Sequence, residues 1–210
     1  MKITTPKHFR ENVEEFEKKY GIMDCVYVQC TEEFSGRKLS EIAEIHKTRI
    51  IETFLFEWGK MQRVLGHNGI EAIYRKVKEK RFAYRIGPLR KKSLKSVKLE
   101  EQKSLIVDLF DEVAEVSFKS NKGKDKYVRS TAASKVLHLC CPDLFLMWDD
   151  NIRKEYEKRK GNGEDYFQFL VDMQKLWNGL SETIEELQRK YGKRATRIID
   201  EYNWIEFHRE

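Results

Sequence analysis

The chain is poor in the residues that build metal sites, flexible linkers and membrane spans. Its four cysteines form no C-x-x-C pair: Cys25 and Cys30 stand five apart, and Cys140 and Cys141 are adjacent. The five histidines, His8, His46, His67, His138 and His208, are scattered without ligand spacing. A structural zinc site is excluded on that pattern, and no metal or cofactor is expected. Free, mostly buried thiols fit a reducing compartment, so the expected location is the cytoplasm. Apolar runs are short. Even "IVDLFDEVAEV" (Ile106–Val116) is interrupted by acids, far from the ~20 apolar residues of a membrane-spanning helix, and no membrane partner is expected. The first residues, "MKITTPKHFRENVEEF", lack the apolar segment of a secretory signal. There is no fixed-period repeat, which argues against a solenoid.

What the chain does have is charge, and it is unevenly spread. Charged residues make up 36% of the sequence and the net charge is +6. From Arg75 to Lys98 eleven bases face a single acid, Glu79, so this segment alone carries +10 and the remainder −4. Arg81, Arg85, Arg90, Lys91, Lys92 and Lys95 lie in it. A second stretch, "KSNKGKDKYVR", adds Lys124, Lys126 and Arg129 with two further lysines against one acid. Concentrated positive charge is the electrostatic footprint of a phosphate-backbone binder. A solvated face of a lysine-rich protein explains the same composition. The alternation of Phe82, Tyr84 and Ile86 with the bases favours an ordered contact surface, and the reading leaves DNA and RNA both open.

Periodicity is helical nearly throughout. Thr5 and Pro6 form an N-cap and first helical position, with Gly21 past the end. Ile42, Ile45, Ile50, Phe54, Trp58, Met61 and Leu65 recur at three- and four-residue steps, with Gly59 as a break. Asn68 and Glu71 read as a capping box opening a helix whose apolar face is Ile70, Ile73 and Val77. "FAYRIGPLRKKS" should be extended or irregular around Gly87-Pro88. "YVQC" (Tyr27–Cys30) is the one stretch that reads as a strand. Further helices are expected near Leu99–Val116 and Tyr127–Cys140, from Asp149 to the "GNG" at Gly161–Gly163, over "EDYFQFLVDMQKLW", and in two short segments punctuated by Gly179 and Gly192. The fold class is therefore all-α, with eight to ten helices in a single helical domain over 1–210, a chain long enough to form two lobes around a cleft.

One stretch joins these threads: "RSTAASKVLHLCCPDLFLMWDDNIRKEY", Arg129 to Tyr156. It runs from a small-residue helix start through an apolar helix and a proline turn to paired acids at the next helix start. This order resembles the core of the helix-hairpin-helix DNA glycosylases, especially the branch that removes adenine from mismatches, whose members carry a similar R-S-T-A start and then D-x-N-V or D-x-H-I. The resemblance covers 28 of 210 residues. It implies a two-lobed all-α fold, DNA as the partner, and hydrolysis of an N-glycosidic bond. Asp149 falls on the catalytic aspartate, with Asn151 and Ile152 following in register. Ser130 falls where bifunctional members hold a Schiff-base lysine, so a monofunctional enzyme is implied. The chain departs from the pattern in three ways. The glycines of the L-P-G-V-G hairpin are replaced by "KDKYV", the Ser130-to-Asp149 spacing is one residue longer, and a C-terminal four-cysteine cluster loop is missing.

The residues themselves allow two readings of Asp149. It is a helix N-cap, worth about 1 kcal/mol, or a carboxylate held ionised by the helix start and facing the sugar as positive charge develops there. The two are compatible. Asp150 reads as a first-turn dipole partner. Trp148 reads as core, with base stacking as the alternative. Lys135, five residues after Ser130, should point to a different face, with a Schiff-base or pocket lysine as the alternative, and His138 reads as a satisfied core histidine. Lys60 and Arg63 are candidates to face the cleft. A non-enzymatic nucleic-acid-binding protein on the same scaffold is the alternative function.

Overall fold

The computed structural model describes residues 4–35 and 44–208, apart from the side chains of residues 23 and 44–47. Among these the fold is all-α. Eleven α-helices are present: α1 (Pro6–Tyr20), α2 (Asp24–Ser35), α3 (Glu44–Thr53), α4 (Gln62–Lys78), α5 (Lys80–Ile86), α6 (Leu99–Ala114), α7 (Arg129–Cys140), α8 (Asp150–Glu155), α9 (Gly163–Gly179), α10 (Ser181–Tyr191) and α11 (Ala195–Phe207). A two-stranded antiparallel hairpin, β1 (Ser117–Lys119) and β2 (Asp125–Tyr127), pairs Phe118 with Lys126. No helix among the described residues is long and apolar enough to cross a membrane.

Local chemistry accounts for several boundaries. Thr5 caps α1 by accepting the His8 amide, and Pro6 occupies the first turn, where its missing N–H costs nothing. Gly192 ends α10 in the left-handed region (φ 65°), which glycine enters without steric penalty. α3 runs into a π turn at Phe54–Trp58, after which the chain leaves the helix at Gly59. A Cβ at Gly59 would sit 2.8 Å from the Leu55 carbonyl oxygen, so the break needs glycine.

Four expectations from sequence are corrected. Tyr27–Cys30 is not a strand but part of α2, where Tyr27, Cys30, Thr31 and Phe34 are buried at helical spacing. "FAYRIGPLRKKS" is not irregular: Phe82 and Ile86, four apart and fully buried, anchor α5, and Pro88 opens a 3-10 turn over Gly87–Lys91. Tyr84, between them, points outward and is 83% exposed. Asn68 does not cap its helix. The kink falls at Gly66, and the Asn68 amide instead donates to the Lys119 carbonyl of the hairpin. The helix after Asp149 stops at Glu155, well before the glycines at 161 and 163. Among the described residues there are eleven helices, against an expected eight to ten or so. Leu39, Ile42 and the Ile45 side chain lie outside the described residues.

One continuous cluster of buried side chains runs from Phe9 to Tyr202. Within it α1 packs on α11, α6 on both α7 and α9, and α2 on α7. The α6–α9 approach is close: a Cβ at Gly163 would lie 2.4 Å from the Val107 carbonyl oxygen. These contacts bring α7, α11 and the π turn around the segment that leads to Asp149.

Candidate functional site

That segment, Phe145–Trp148, belongs to no helix or strand and is buried, so its backbone polar groups need partners that no helix ladder supplies. Side chains from three helices tie it residue by residue. His138 of α7 donates from Nδ1 to the Phe145 carbonyl at 2.7 Å, and Tyr166 of α9 donates to the Leu146 carbonyl at 2.7 Å. Asp200 of α11 accepts the Met147 amide at 3.1 Å, and the Ser134 hydroxyl of α7 accepts the Trp148 amide at 3.2 Å. His138 completes its ring by accepting from the Tyr27 hydroxyl at 2.8 Å. Burial pushes its pKa down to about 3, so the ring is neutral and structural, as the sequence suggested.

The strap delivers Asp149 to a fixed place. As N-cap of α8, its Oδ1 accepts the amides of Asn151 and Ile152, both at 3.0 Å. Oδ2 lies 2.8 Å from His208 Nε2, and the carboxylate remains 26% exposed. His208 stacks on Trp204 at 3.9 Å between ring centres. Asp149 forms part of two concavities at once. One is a mainly apolar cavity of about 280 Å³, walled by Phe16, Tyr20, Trp58, Trp148, Trp204 and Ile152. The other is a wider groove of about 690 Å³ of mixed charge, bordered by Arg129, Arg153 and Lys160 and also by Asp111, Glu115 and Asp150. Arg129 enters α7 at a φ of 64°, a strained value for a residue with a Cβ.

Lys135 lines the same cavity as Asp149, which corrects the expectation that it turns to another face. Its ammonium donates to the Gly59 carbonyl at 2.8 Å and lies over the Trp58 ring at 5.6 Å. Burial lowers its pKa to about 8, with the Asp149 charge opposing the shift. The floor of the cavity holds groups that the sequence did not single out. Arg197 is buried among the rings of Phe16, Tyr27 and Trp58, with its carbon 4.8–5.2 Å from their centres. It grips Asp24 through two hydrogen bonds of 3.1 and 2.8 Å. Lys193 bridges Asp24 at 2.7 Å and Glu201 at 2.8 Å, and also pairs with Glu17. Asp24 is held at about 2 because its two cationic partners outweigh burial, whereas Glu201 is pushed up to about 8 by burial. Asp200 is raised well above the usual carboxylate range by burial, and its Oδ2 has no hydrogen-bond partner.

Oxygens of Glu17, Asp24 and Glu201 lie within 4.8 Å of one another, the one cluster among the described residues with metal-ligating spacing. Lys193 reaches all three carboxylates, so positive charge is already supplied there by the chain itself.

The remaining predicted residues divide. Trp148 is buried and edge-on to Phe110 and Tyr166, and its Nε1 donates to the Ser130 carbonyl, so it is core that also walls the cavity. Asp150 pairs with Arg153 at 2.9 Å within α8. Lys60 lines the cavity, and Arg63 faces a separate depression with Arg49 and Glu57. Lys124 and Lys126 sit on the exposed hairpin. None of Arg81, Arg85, Arg90, Lys91, Lys92 and Lys95 borders the cavity or the groove beside Asp149. Arg85 pairs with Asp108 and Glu112, Lys95 with Glu185, and Arg90 donates to the Phe34 and Ser35 carbonyls. No protein-family model, curated protein or solved structure matches the chain.

Proposed function

We propose that this is a DNA-binding base-excision protein, a monofunctional N-glycosylase in which Asp149 is the catalytic carboxylate. The observation that carries the reading is the position of Asp149 on the wall shared by a cavity rich in aromatic rings and a groove of mixed charge, in which Arg129 and Lys160 stand beside Asp111, Glu115 and Asp150. A nucleotide turned out of the base stack needs that pairing: a recess with flat apolar walls for the base, and cations outside it for the phosphates. As the N-glycosidic bond breaks, positive charge grows on the sugar. A carboxylate fixed by two helix amides stabilises that charge without reorganising. The strap that ties residues 145–148 to three helices is the kind of support that holds a reacting group in place. The resemblance of Arg129–Tyr156 to the helix-hairpin-helix glycosylases supports the same assignment.

The experiment is a search for free base released from duplexes carrying single modified or mismatched bases. The expected result is release by the native protein and none by Asp149→Asn, with folding and DNA binding retained. A second reading, a nucleic-acid-binding protein without catalysis, draws on one specific observation: both Asp149 oxygens are already engaged, one by amides and one by His208. That reading predicts salt-dependent binding and no base release from any duplex.

A further inference from the structure

The polar groups that line the cavity beside Asp149 are unequally occupied. Its carboxylates are engaged by the chain itself. Asp24 meets Arg197 through both oxygens and Lys193 through one, while Asp149 accepts two amides on Oδ1 and faces His208 with Oδ2. Asp200 accepts the Met147 amide on Oδ1, and its Oδ2 is sealed from solvent. Lys135 is the opposite case. It lines the cavity, is half-buried, and spends one N–H on the Gly59 carbonyl, its one hydrogen bond among the described residues. An ammonium has three N–H groups, so two remain. With a pKa of about 8 the group is mostly protonated at neutral pH. Lys60, exposed at the rim, adds a second cation. Ring surface stands beside these donors: Tyr20 and Trp204, both in the cavity wall, are 38% and 40% exposed. At about 280 Å³ the space lies near the lower end of small-molecule pockets, which suits a single ring system.

We propose that this cavity takes a 6-oxopurine, whose O6 and N7 accept the two unspent N–H groups of Lys135 while the ring lies against Tyr20 and Trp204. Hydrogen-bonding chemistry separates this edge from that of adenine. A 6-oxopurine presents two acceptors side by side, which a lysine matches. Adenine presents one acceptor and an amino donor, and so calls for a group that also accepts. The carboxylates of the wall are already engaged and leave that amino group without a partner. Stacking on aromatic rings tolerates any base, so the selection falls to Lys135. The inference rests on the reading of the cavity as a base pocket and not on catalysis there.

The test is calorimetric titration of the intact protein at neutral pH with free hypoxanthine, adenine and 7-deazahypoxanthine, which keeps O6 and lacks N7. The expected result is saturable binding of hypoxanthine, with adenine and the deaza compound each weaker by about tenfold or more. Lys135→Met should weaken hypoxanthine by a similar factor and abolish its preference over adenine. The ligand series gives an answer on the native protein even where that variant does not fold. The inference is overturned if hypoxanthine shows no saturable binding, if adenine or the deaza compound binds as tightly, or if folded Lys135→Met keeps the preference. Base release is measured separately. Hypoxanthine binding with no release from any duplex removes base excision and leaves this inference standing. Release of adenine from a duplex by a protein that binds no free 6-oxopurine does the reverse.

Discussion

Asp149 and Asp24 line the same cavity and are opposite in kind. Asp149 stands at the mouth, 26% exposed, held by helix amides and one histidine. Asp24 lies on the floor, clamped by Arg197 and Lys193 in a network that also takes in Glu17 and Glu201. Buried charges cost several kcal/mol to desolvate and persist only when fully paired, so the inner set cannot lose one member without stranding another. An exposed cap can be altered cheaply. The molecule thus puts its structural electrostatics beneath the cavity and leaves at the rim a partly exposed carboxylate held by two amides and His208.

The largest expected effect follows from breaking the inner set. Arg197→Met should destabilise the fold by about 3–5 kcal/mol in denaturant unfolding, because Asp24 and Glu201 then lose their buried partner. Asp149→Asn should cost at most ~1 kcal/mol, since asparagine caps helices as well as aspartate does. Equal losses at the two positions would erase the distinction.

Next in size is a pH effect at the strap. The folded-state pKa of His138 is about 3 against an ordinary 6.5, so protonation favours the unfolded chain. Its contribution is fully present above pH 6.5 and is lost as the pH falls toward 3, at up to ~1.4 kcal/mol per unit. The stability advantage of the native protein over His138→Gln should therefore narrow across that window. A constant gap would show that the histidine is not held neutral.

A smaller effect separates two neighbouring acids. Asp200, whose pKa burial raises well above the usual carboxylate range, should tolerate asparagine with a change of ~1 kcal/mol or less, because an amide oxygen can still accept the Met147 N–H. Asp24→Asn should cost several times more in the same measurement, since it leaves Arg197 and Lys193 short of charge. The smallest change is expected at Arg85. Its two acidic partners occupy the guanidinium, so Arg85→Ala should leave the salt dependence of DNA binding unchanged.

Much of the fold could be read from the chain, because helix caps and three-to-four-residue spacing are local signals. Thr5–Pro6, Gly59, Gly192 and the N-cap at Asp149 all fall where that chemistry puts them. The failures have physical causes. β-Branched and aromatic residues made Tyr27–Cys30 read as a strand, yet its burial against α7 and the π turn selects a helix. Gly-Pro suggested an irregular stretch at 87–88, but proline is well tolerated in the first turn, where its chain enters a 3-10 segment. Of the site, Asp149 was visible as a helix-starting acid. Lys135 was visible as a candidate pocket residue though its spacing pointed it elsewhere, while Asp200, Arg197 and His208 were not singled out, because they meet only through tertiary packing of α7, α11 and the strap. Sequence charge density was also a poor guide to free charge, since acids far along the chain, such as Asp108, Glu112 and Glu185, neutralise much of the basic run.

The most direct test of the central claim is base release from a panel of duplexes, each carrying one modified or mismatched base, measured for the native protein and for Asp149→Asn side by side. The account predicts free base from at least one duplex with the native protein and at least a hundredfold loss with the variant, at unchanged DNA affinity and unfolding midpoint. Release at equal rates by both proteins, or no release from any duplex, would contradict it.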